Sequence, residues 1–471
     1  MAAIVRYGAY VPCLRLPRSV VAGAWGGARQ AGHKAVANHD EDSLTLAVEA
    51  ARDCLRGADR SAVDGVLFAT TTSPYLEKQG AALLATVLDL PSGILTADLC
   101  NSLRSGTTAL EFAGSLVDTG RARNVLVAVA DMRLAHPGSA LEPWMGDGAA
   151  AFLVGPEPGV ARWKSFASLA NEMLDCWRTD QDRFVRTWED RWVKKHGLLE
   201  VTARAVRHAL DKAGLTGDGL AWAALYAPDA RSLRELARSL GLEKGARIAE
   251  DLLDRCGSTG AALAPMMLAR ILEEASPGER ILVAGYGDGA DVLVLETTDE
   301  IRRRMPGRGV SGWLARGKEL ENYERFLWYR KLVEVQPPPA LLVGSSATVL
   351  WRDRNSVLKL HGSRCRACGE AAFPIQRVCN GCGAADAFEE VALSESKGRV
   401  FTFTLDYLAA QVDPPLIQTV VDLEPGCRIY TSMTDADPAE VKPEMEVEMT
   451  FRRTRKAEGF YNYFWKCRPL N

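Results

Sequence analysis

The sequence predicts an α/β fold built from two copies of one unit, with a small cysteine-bearing and all-β portion behind it. Three observations carry this: an internal repeat, two closely spaced cysteine pairs, and a run of alternating strands near the end. The stretch from Cys100, CNSLRSGTTALEFAGSLVDTGRARNVLVAVA, returns without a gap from Cys256 as CGSTGAALAPMMLARILEEASPGERILVAGY. Around it, helix-like LAVEAARDCL (Leu46 to Leu55) answers VTARAVRHAL (Val201 to Leu210). Strand-like VDGVLFATT answers GLAWAALYA, and MGDGAAAFLVG from Met145 answers YGDGADVLVLE from Tyr286. A repeated helix–strand–helix–strand–strand unit buries its apolar faces against its copy and leaves a site between the halves.

Residues 1–300 hold this core, with halves at about 1–155 and 199–300. Between them, 156–198 is a polar, tryptophan-bearing insertion with helical spacing, suited to cover the site or meet a second subunit. Residues 301–357 read as a linker carrying one amphipathic helix, GKELENYERFLWYRKLVEV, with Leu320, Tyr323, Phe326 and Leu327 on its apolar face. Pro337 to Pro339 end it. Residues 391–471, with GRVFTFTLDYL, IQTVVDL and EVEMTFRRT, alternate as the strands of a small barrel.

Between linker and barrel, at 358–390, Cys365 and Cys368 form one C-x-x-C and Cys379 and Cys382 a second, with ten residues between the pairs. Each pair sits in a glycine-bearing turn. Four thiolates at this spacing predict a closed tetrahedral zinc site, structural because no position stays open for water.

Composition bounds the function. A chain of 471 residues exceeds one ordinary core. The formal net charge of −3 supplies no positive field for a polyanion, so a nucleic-acid partner is not expected. Neither a signal-peptide pattern nor a membrane-spanning apolar run is present, which predicts no membrane partner. Eleven cysteines, four in metal spacing and the rest among apolar residues, suit a reducing cytoplasm.

SLRSGTTAL, YAPD, CGSTGAALAP and YGDGAD together resemble the thiolase superfamily, in its 3-hydroxy-3-methylglutaryl-CoA synthase and β-ketoacyl synthase III branch. SRCRACGEAAFP, VCNGCGA and the terminal YNYFWK resemble the zinc-ribbon plus OB-fold domain (DUF35-type) that accompanies many thiolase-like proteins. The resemblance implies a duplicated thiolase fold of five αβαβα layers, an acyl-CoA substrate bringing coenzyme A as its handle, and a homodimer through the core. Condensing members carry a cysteine two or three residues before the glycine matched by Gly106; here those positions are Leu103 and Arg104, with Cys100 further upstream. The family histidine is matched by Tyr226, its acidic residue by Thr71, and an asparagine of the synthase III branch by Ser258.

That pattern has a chemical reading. Claisen condensation through an acyl-enzyme needs an activated thiolate, which leucine and tyrosine do not supply. Retro-aldol cleavage of a β-hydroxyacyl-CoA needs only a base for the hydroxyl and donors for the thioester enolate. Tyr226, then Tyr286, are the acid/base candidates. Ser258 is the third, with backbone amides around Ser258–Gly260 and Gly287–Gly289 as oxyanion donors. Two other readings stand beside this one. The first is a hydroxymethylglutaryl-CoA synthase-type condensing acyltransferase using Cys100. The second is a non-catalytic partner of another thiolase. For the coenzyme A phosphates, the arginine runs Arg302 to Arg304 or Arg452, Arg453 and Arg455 are the candidates.

Overall fold

A computed structural model describes residues 1–242, 245–249, 251–303, 305–334, 346–409, 411–424, 426–457 and 460–470, the side chains of 455–457 excepted. The expected proline linker, Pro337 to Pro339, lies outside the described residues. The chain divides into two units: Met1–Ala37 with Asp42–Phe326, and Asn38–Glu41 with Leu327–Asn471.

The first unit carries the repeat. Its first half contributes β1 (Ala2–Tyr10), β2 (Gly65–Thr70), β3 (Leu95–Cys100), β4 (Val125–Asp131) and β5 (Gly148–Pro156). The second contributes β6 (Ala161–Ala170), β7 (Trp222–Leu225), β8 (Arg247–Ile248), β9 (Arg280–Tyr286) and β10 (Gly289–Thr297). Strand order is β1-β5-β4-β2-β3 in one half and β6-β10-β9-β7-β8 in the other, the same arrangement twice. The two join where β1 meets β6, at Ala3 with Arg162 and Ile4 with Ala161.

Four helices complete the pattern: α1 (Ser43–Leu55), α2 (Ser105–Asp118), α3 (Glu200–Ala213) and α4 (Leu263–Leu272). α1 packs on the first half-sheet and α3 on the second, while α2 contacts strands of both and also α4. α4 is apolar nearly all round, with only Arg270 among its ten residues not buried, as a central-layer helix must be. α2 approaches it through Gly106, where a Cβ would lie 2.7 Å from the Ala261 carbonyl oxygen. The glycine of SGTTAL is therefore a packing requirement.

The second half begins earlier than the sequence suggests. Residues 161–170 of the expected helical insertion form a core strand, β6, pairing along its length with β10. A short strand pair (Cys176–Trp177 with Arg186–Thr187) follows, and helix appears only from Asp190. The long amphipathic helix also differs. Lys318 and Leu320 donate their amides to the Cys13 and Arg15 carbonyls, so that stretch is extended and the helix runs only over Tyr323–Tyr329. Leu320, Tyr323 and Phe326 are buried as their spacing predicts, and Leu327 only partly. The first unit thus continues to Phe326, past residue 300.

In the second unit β11 (His361–Cys365), β12 (Ala371–Ala372) and β13 (Phe388–Ala392) form a three-stranded ribbon. β14 (Lys397–Asp406), β15 (Leu416–Leu423), β16 (Cys427–Ser432), β17 (Glu446–Ala457) and β18 (Phe460–Pro469) form a sheet in the order β16-β15-β14-β17-β18. A bridge between Met433 and Cys467 brings its two outer strands together, as a barrel demands. Trp465 fills the interior against Phe451, with ring centroids 5.4 Å apart. Trp465 and Tyr463 are buried, whereas Phe401 on β14 stays about half exposed.

Candidate active site

The strands of the first half end at a cavity of about 930 Å³. Thr70 and Thr71 come from the end of β2, Cys100 from β3, Arg133 from beyond β4, and Leu103 from the turn into α2. The β9–β10 turn adds Gly287 and Asp288, and the segments 73–79 and 175–185 form much of the remaining wall. Ligand sites of parallel sheets lie at such carboxyl ends, because the following loops converge there.

Asp131 organises the floor. It is fully buried, and accepts hydrogen bonds from Thr70 Oγ1 (3.0 Å), Thr71 N (2.7 Å), Thr71 Oγ1 (3.0 Å), Thr72 Oγ1 (3.0 Å) and Ala261 N (2.8 Å). Gly260 must be glycine here, since its φ is +61° and a Cβ would meet Asp131 Oδ2 at 2.3 Å. Thr71, at the position of the family acid, is thus a donor to a buried carboxylate.

Above this floor lies a cluster that joins Arg133, Asp175, Cys176, Tyr226 and Tyr286. Arg133 is buried, with Nη2 3.5 Å from Cys176 Sγ, and donates to the Tyr226 hydroxyl. Burial opposes its charge, but Cys176, Tyr226 and Asp131 outweigh that and hold its pKa above the ordinary value. Burial pushes the Tyr226 hydroxyl well up, with Arg133 opposing. Tyr286 is pushed up by burial and by Asp175, to which it is hydrogen-bonded. Asp175 is raised by burial and by nearby Asp288, against hydrogen bonds from Cys176 N and Tyr286.

No thiol in the cavity is activated. Burial pushes Cys176 up to about 11, despite Arg133. Cys100 is exposed toward the cavity, yet the protein mass around it, then Asp98 and Asp131, raise its pKa. Leu103 occupies the turn at which a thiol would meet the N-terminus of α2.

The sequence-derived candidates lie one layer back. Tyr226, Tyr286 and Ser258 are buried and none is on the cavity surface. Ser258 donates its hydroxyl to the Ala227 carbonyl (3.0 Å) and its amide to Trp144 (2.6 Å), and the Gly287 amide bonds Gly289 O (2.9 Å). These two amides are therefore engaged inside the fold and unavailable as oxyanion donors. His136 stacks on Phe184 (4.2 Å) beside a shallower hollow. Arg133, Asp175 and Cys176 escaped the sequence reading. For Arg133 a signal existed: DMR follows directly on the apolar strand VLVAVA, at the carboxyl edge of a sheet. Asp175 and Cys176 lie in an insertion whose sequence gives no hint of where it folds.

Among the described side chains neither arginine run forms a phosphate clamp: Arg453 donates to the His39 carbonyl (3.1 Å), and the Arg455 side chain lies outside them. Arg302 and Arg303 are exposed and paired with Asp299 (3.1 Å) and Glu300 (2.8 Å), and Arg304 lies outside the described residues. Arg452 is fully buried against Asp40 (3.2 Å), Glu41 (2.8 Å) and Asp435, so no ligand in solvent reaches it.

In the ribbon, one sulfur each from Cys365, Cys368, Cys379 and Cys382 lies within 4.8 Å of the others. Cys365–Cys382 and Cys368–Cys379 are 3.7 and 3.5 Å apart. A tetrahedral zinc with Zn–S of about 2.3 Å sets sulfurs about 3.8 Å apart, so the cluster fits that ion. Amides of Cys368 and Ala367 support the Cys365 thiolate, holding its pKa near 7.

The duplicated five-layer core and its strand-end cavity define a thiolase-fold enzyme. Residues 210–294 match the model of the 3-oxoacyl-[acyl-carrier-protein] synthase III C terminal, and residues 390–452 that of the ChsH2 C-terminal OB-fold domain. The hydroxymethylglutaryl-CoA synthase of Methanothermobacter thermautotrophicus is 31% identical over 315 residues, 64% of this chain and 91% of that protein. The synthase of Aeropyrum pernix is 31% identical over 65% of this chain and 87% of that protein. Among solved structures, MvaS in complex with 3-hydroxy-3-methylglutaryl coenzyme A superposes with a TM-score of 0.63 at 22% identity, covering 73% of this chain and 94% of that one. An HMG-CoA synthase complexed with CoA gives 0.65 at 18%, covering 73% and 93%. The chain belongs to the hydroxymethylglutaryl-CoA synthase family, with a ribbon and OB-fold barrel following the core in sequence.

Proposed function

We propose that the chain acts on acyl-CoA thioesters, making or breaking a carbon–carbon bond by aldol or retro-aldol chemistry on a β-hydroxyacyl-CoA, without a cysteine acyl-enzyme. The observation that carries the reading is Leu103 at the mouth of α2, with both cavity thiols held protonated by their surroundings. In this reading Arg133 is the cavity's electrophile, placed to receive the negative charge that develops on a thioester oxygen. Tyr226 acts through Arg133 and Tyr286 through Asp175; with raised pKa values both are hydrogen-bond partners at neutral pH and not bases. Ser258 positions the strand end behind them.

A second reading, a hydroxymethylglutaryl-CoA synthase-type condensation on Cys100, is favoured by the relatives and by the place of Cys100 on the cavity wall. Incubation with acetyl-CoA followed by intact-protein mass spectrometry separates the two. Our reading expects no covalent acetyl group, and an adduct on Cys100 rejects it. A panel of β-hydroxyacyl-CoAs, wild type against Tyr226→Phe, then measures cleavage. A chain that merely escorts another thiolase turns over none of the panel.

We further assign zinc to the ribbon, as a structural ion of a protein from a reducing cytoplasm. A homodimer through the core is supported by β3, an edge strand of the sheet whose residues are all at least partly exposed while β2 beside it is wholly buried.

A further inference from the structure

We propose that Asp175 is the acid/base residue of the cavity, moving the proton of the substrate's β-hydroxyl while Arg133 holds the thioester oxygen. This rests on the aldol reading above and goes beyond it, because Asp175 comes from the segment after β6 and not from either repeat.

Geometry sets Asp175 apart from the other carboxylates of the cavity. Of the other carboxylates that line the cavity, Asp98 and Asp182 are committed to the fold, and Asp180 and Asp288 are exposed to solvent where Asp175 is half-buried. Asp98 caps the helix Gly80–Val87 through the amides of Gly80 (2.6 Å) and Ala81 (2.8 Å). Asp182 accepts from Thr179 N (2.9 Å), Thr179 Oγ1 (3.0 Å) and Arg186 Nε (2.6 Å). Asp131 is enclosed by its five donors beneath the floor. Asp288 sits at the tip of the β9–β10 turn with φ +50°. Asp175 lies on the cavity wall, fixed by the Cys176 amide and the Tyr286 hydroxyl, next to Cys176 and its Arg133 neighbour.

Two charges act on it from neighbouring elements. Arg133 beyond β4 favours the anion, and Asp288 on the turn and burial disfavour it. The net effect is a carboxyl poised above the ordinary Asp value, the direction a base working near neutrality requires. In the cleavage direction Asp175 takes the β-hydroxyl proton, and the freed oxygen pair forms the carbonyl of the departing ketone or aldehyde. The Cα–Cβ bond breaks, its pair passing into the thioester enolate against Arg133. The proton on Asp175 then returns to Cα, releasing the shorter acyl-CoA. Nothing is oxidised or reduced, and the carboxylate is regenerated.

The test uses the full-length chain, a panel of β-hydroxyacyl-CoAs, and chromatographic detection of the shorter acyl-CoA. Asp175→Asn is expected to lower kcat by about 10²–10⁴-fold, the usual worth of a general base, with KM little changed. Wild-type kcat should fall on the acid side, as protonation removes the base, and Asp175→Glu should keep part of the rate with that limb displaced. An Asp175→Asn protein that folds and retains more than about a third of wild-type kcat, against the 10²-fold loss expected, overturns the assignment. Should that variant misfold, Asp175→Glu decides: an undisplaced acid limb overturns the assignment, a displaced one supports it. Wild type that cleaves nothing, or that carries an acetyl adduct, overturns the aldol reading and this assignment with it. An active wild type with an active Asp175→Asn removes only Asp175.

Discussion

Five donors converge on one carboxylate, Asp131, and they come from both halves of the repeat: Thr70, Thr71 and Thr72 from the first, Ala261 from the second. Removing it leaves buried hydroxyls and amides without an acceptor. Asp131→Ala is expected to cost about 3 kcal/mol or more, the upper end for hydrogen bonds to a charged group, read as a lower urea midpoint. Leu103 invites the opposite experiment. A cysteine there would sit at the N-terminus of a fourteen-residue helix, which lowers a thiol pKa. Leu103→Cys should become acetylated by acetyl-CoA where wild type does not. An unlabelled variant would mean that the cavity does not bring a thioester to this turn. Arg133 was readable as a charge at a strand end, but its partners were not, because Cys176 and Tyr226 lie 43 and 93 residues away in sequence.

Among the elements, α2 and α4 carry the core, and their contact depends on the absence of a side chain at Gly106. A methyl group there meets backbone at Ala261 and side chains of Val129 and Pro265 within 3.0 Å. Gly106→Ala should destabilise by about 1–3 kcal/mol, the usual cost of overpacking, seen as a lower thermal midpoint. The ribbon is a second element with its own dependence. Its three short strands bury little apolar surface, so a metal held by the four cysteines would supply much of their stability. Chelation should raise amide exchange over residues 361–392 before it does so in the core strands. Equal protection with and without chelator would show that the four cysteines hold no structural ion. The cysteine spacing made this element legible, since a short-range motif closes its own geometry. The 161–170 strand was not, because its strand character comes from pairing with β10 more than a hundred residues on.

For the molecule as a whole, the division into units does not follow the sequence. Asn38–Glu41 belongs to the barrel-bearing unit although its neighbours on both sides belong to the core. There Asp40 accepts from Arg452, Lys466 (2.8 Å) and Thr434 (3.0 Å), all of the second unit. Burial alone would raise the Asp40 carboxyl, but Lys466, Arg452 and His39 hold it far below the usual range. The sign follows. A carboxylate depressed in the folded state stabilises fully above its unfolded pKa of about 3.9, and that contribution drains away as pH falls below it. The unit should therefore loosen on acidification below about pH 4, and Asp40→Asn should flatten that dependence. Arg452→Met removes the buried cation that Asp40, Glu41 and Asp435 share, leaving Asp40 with Lys466, at an expected cost of about 3–5 kcal/mol. A fragment beginning at Leu327 lacks the same partner from the other side and should melt below the intact chain.

By itself the sequence determined the duplicated core, the paired-cysteine turns and the absence of a cysteine at Leu103 and Arg104 before Gly106. Repeats, local motifs and missing side chains are written in neighbouring residues. Only the tertiary structure decided which groups face the cavity: it put Asp175, Cys176 and Arg133 at the wall and Tyr226, Tyr286 and Ser258 behind it. The physical reason is that a cavity is lined by ends of elements far apart in the chain. Which end faces inward depends on how the layers close, and no local pattern encodes that.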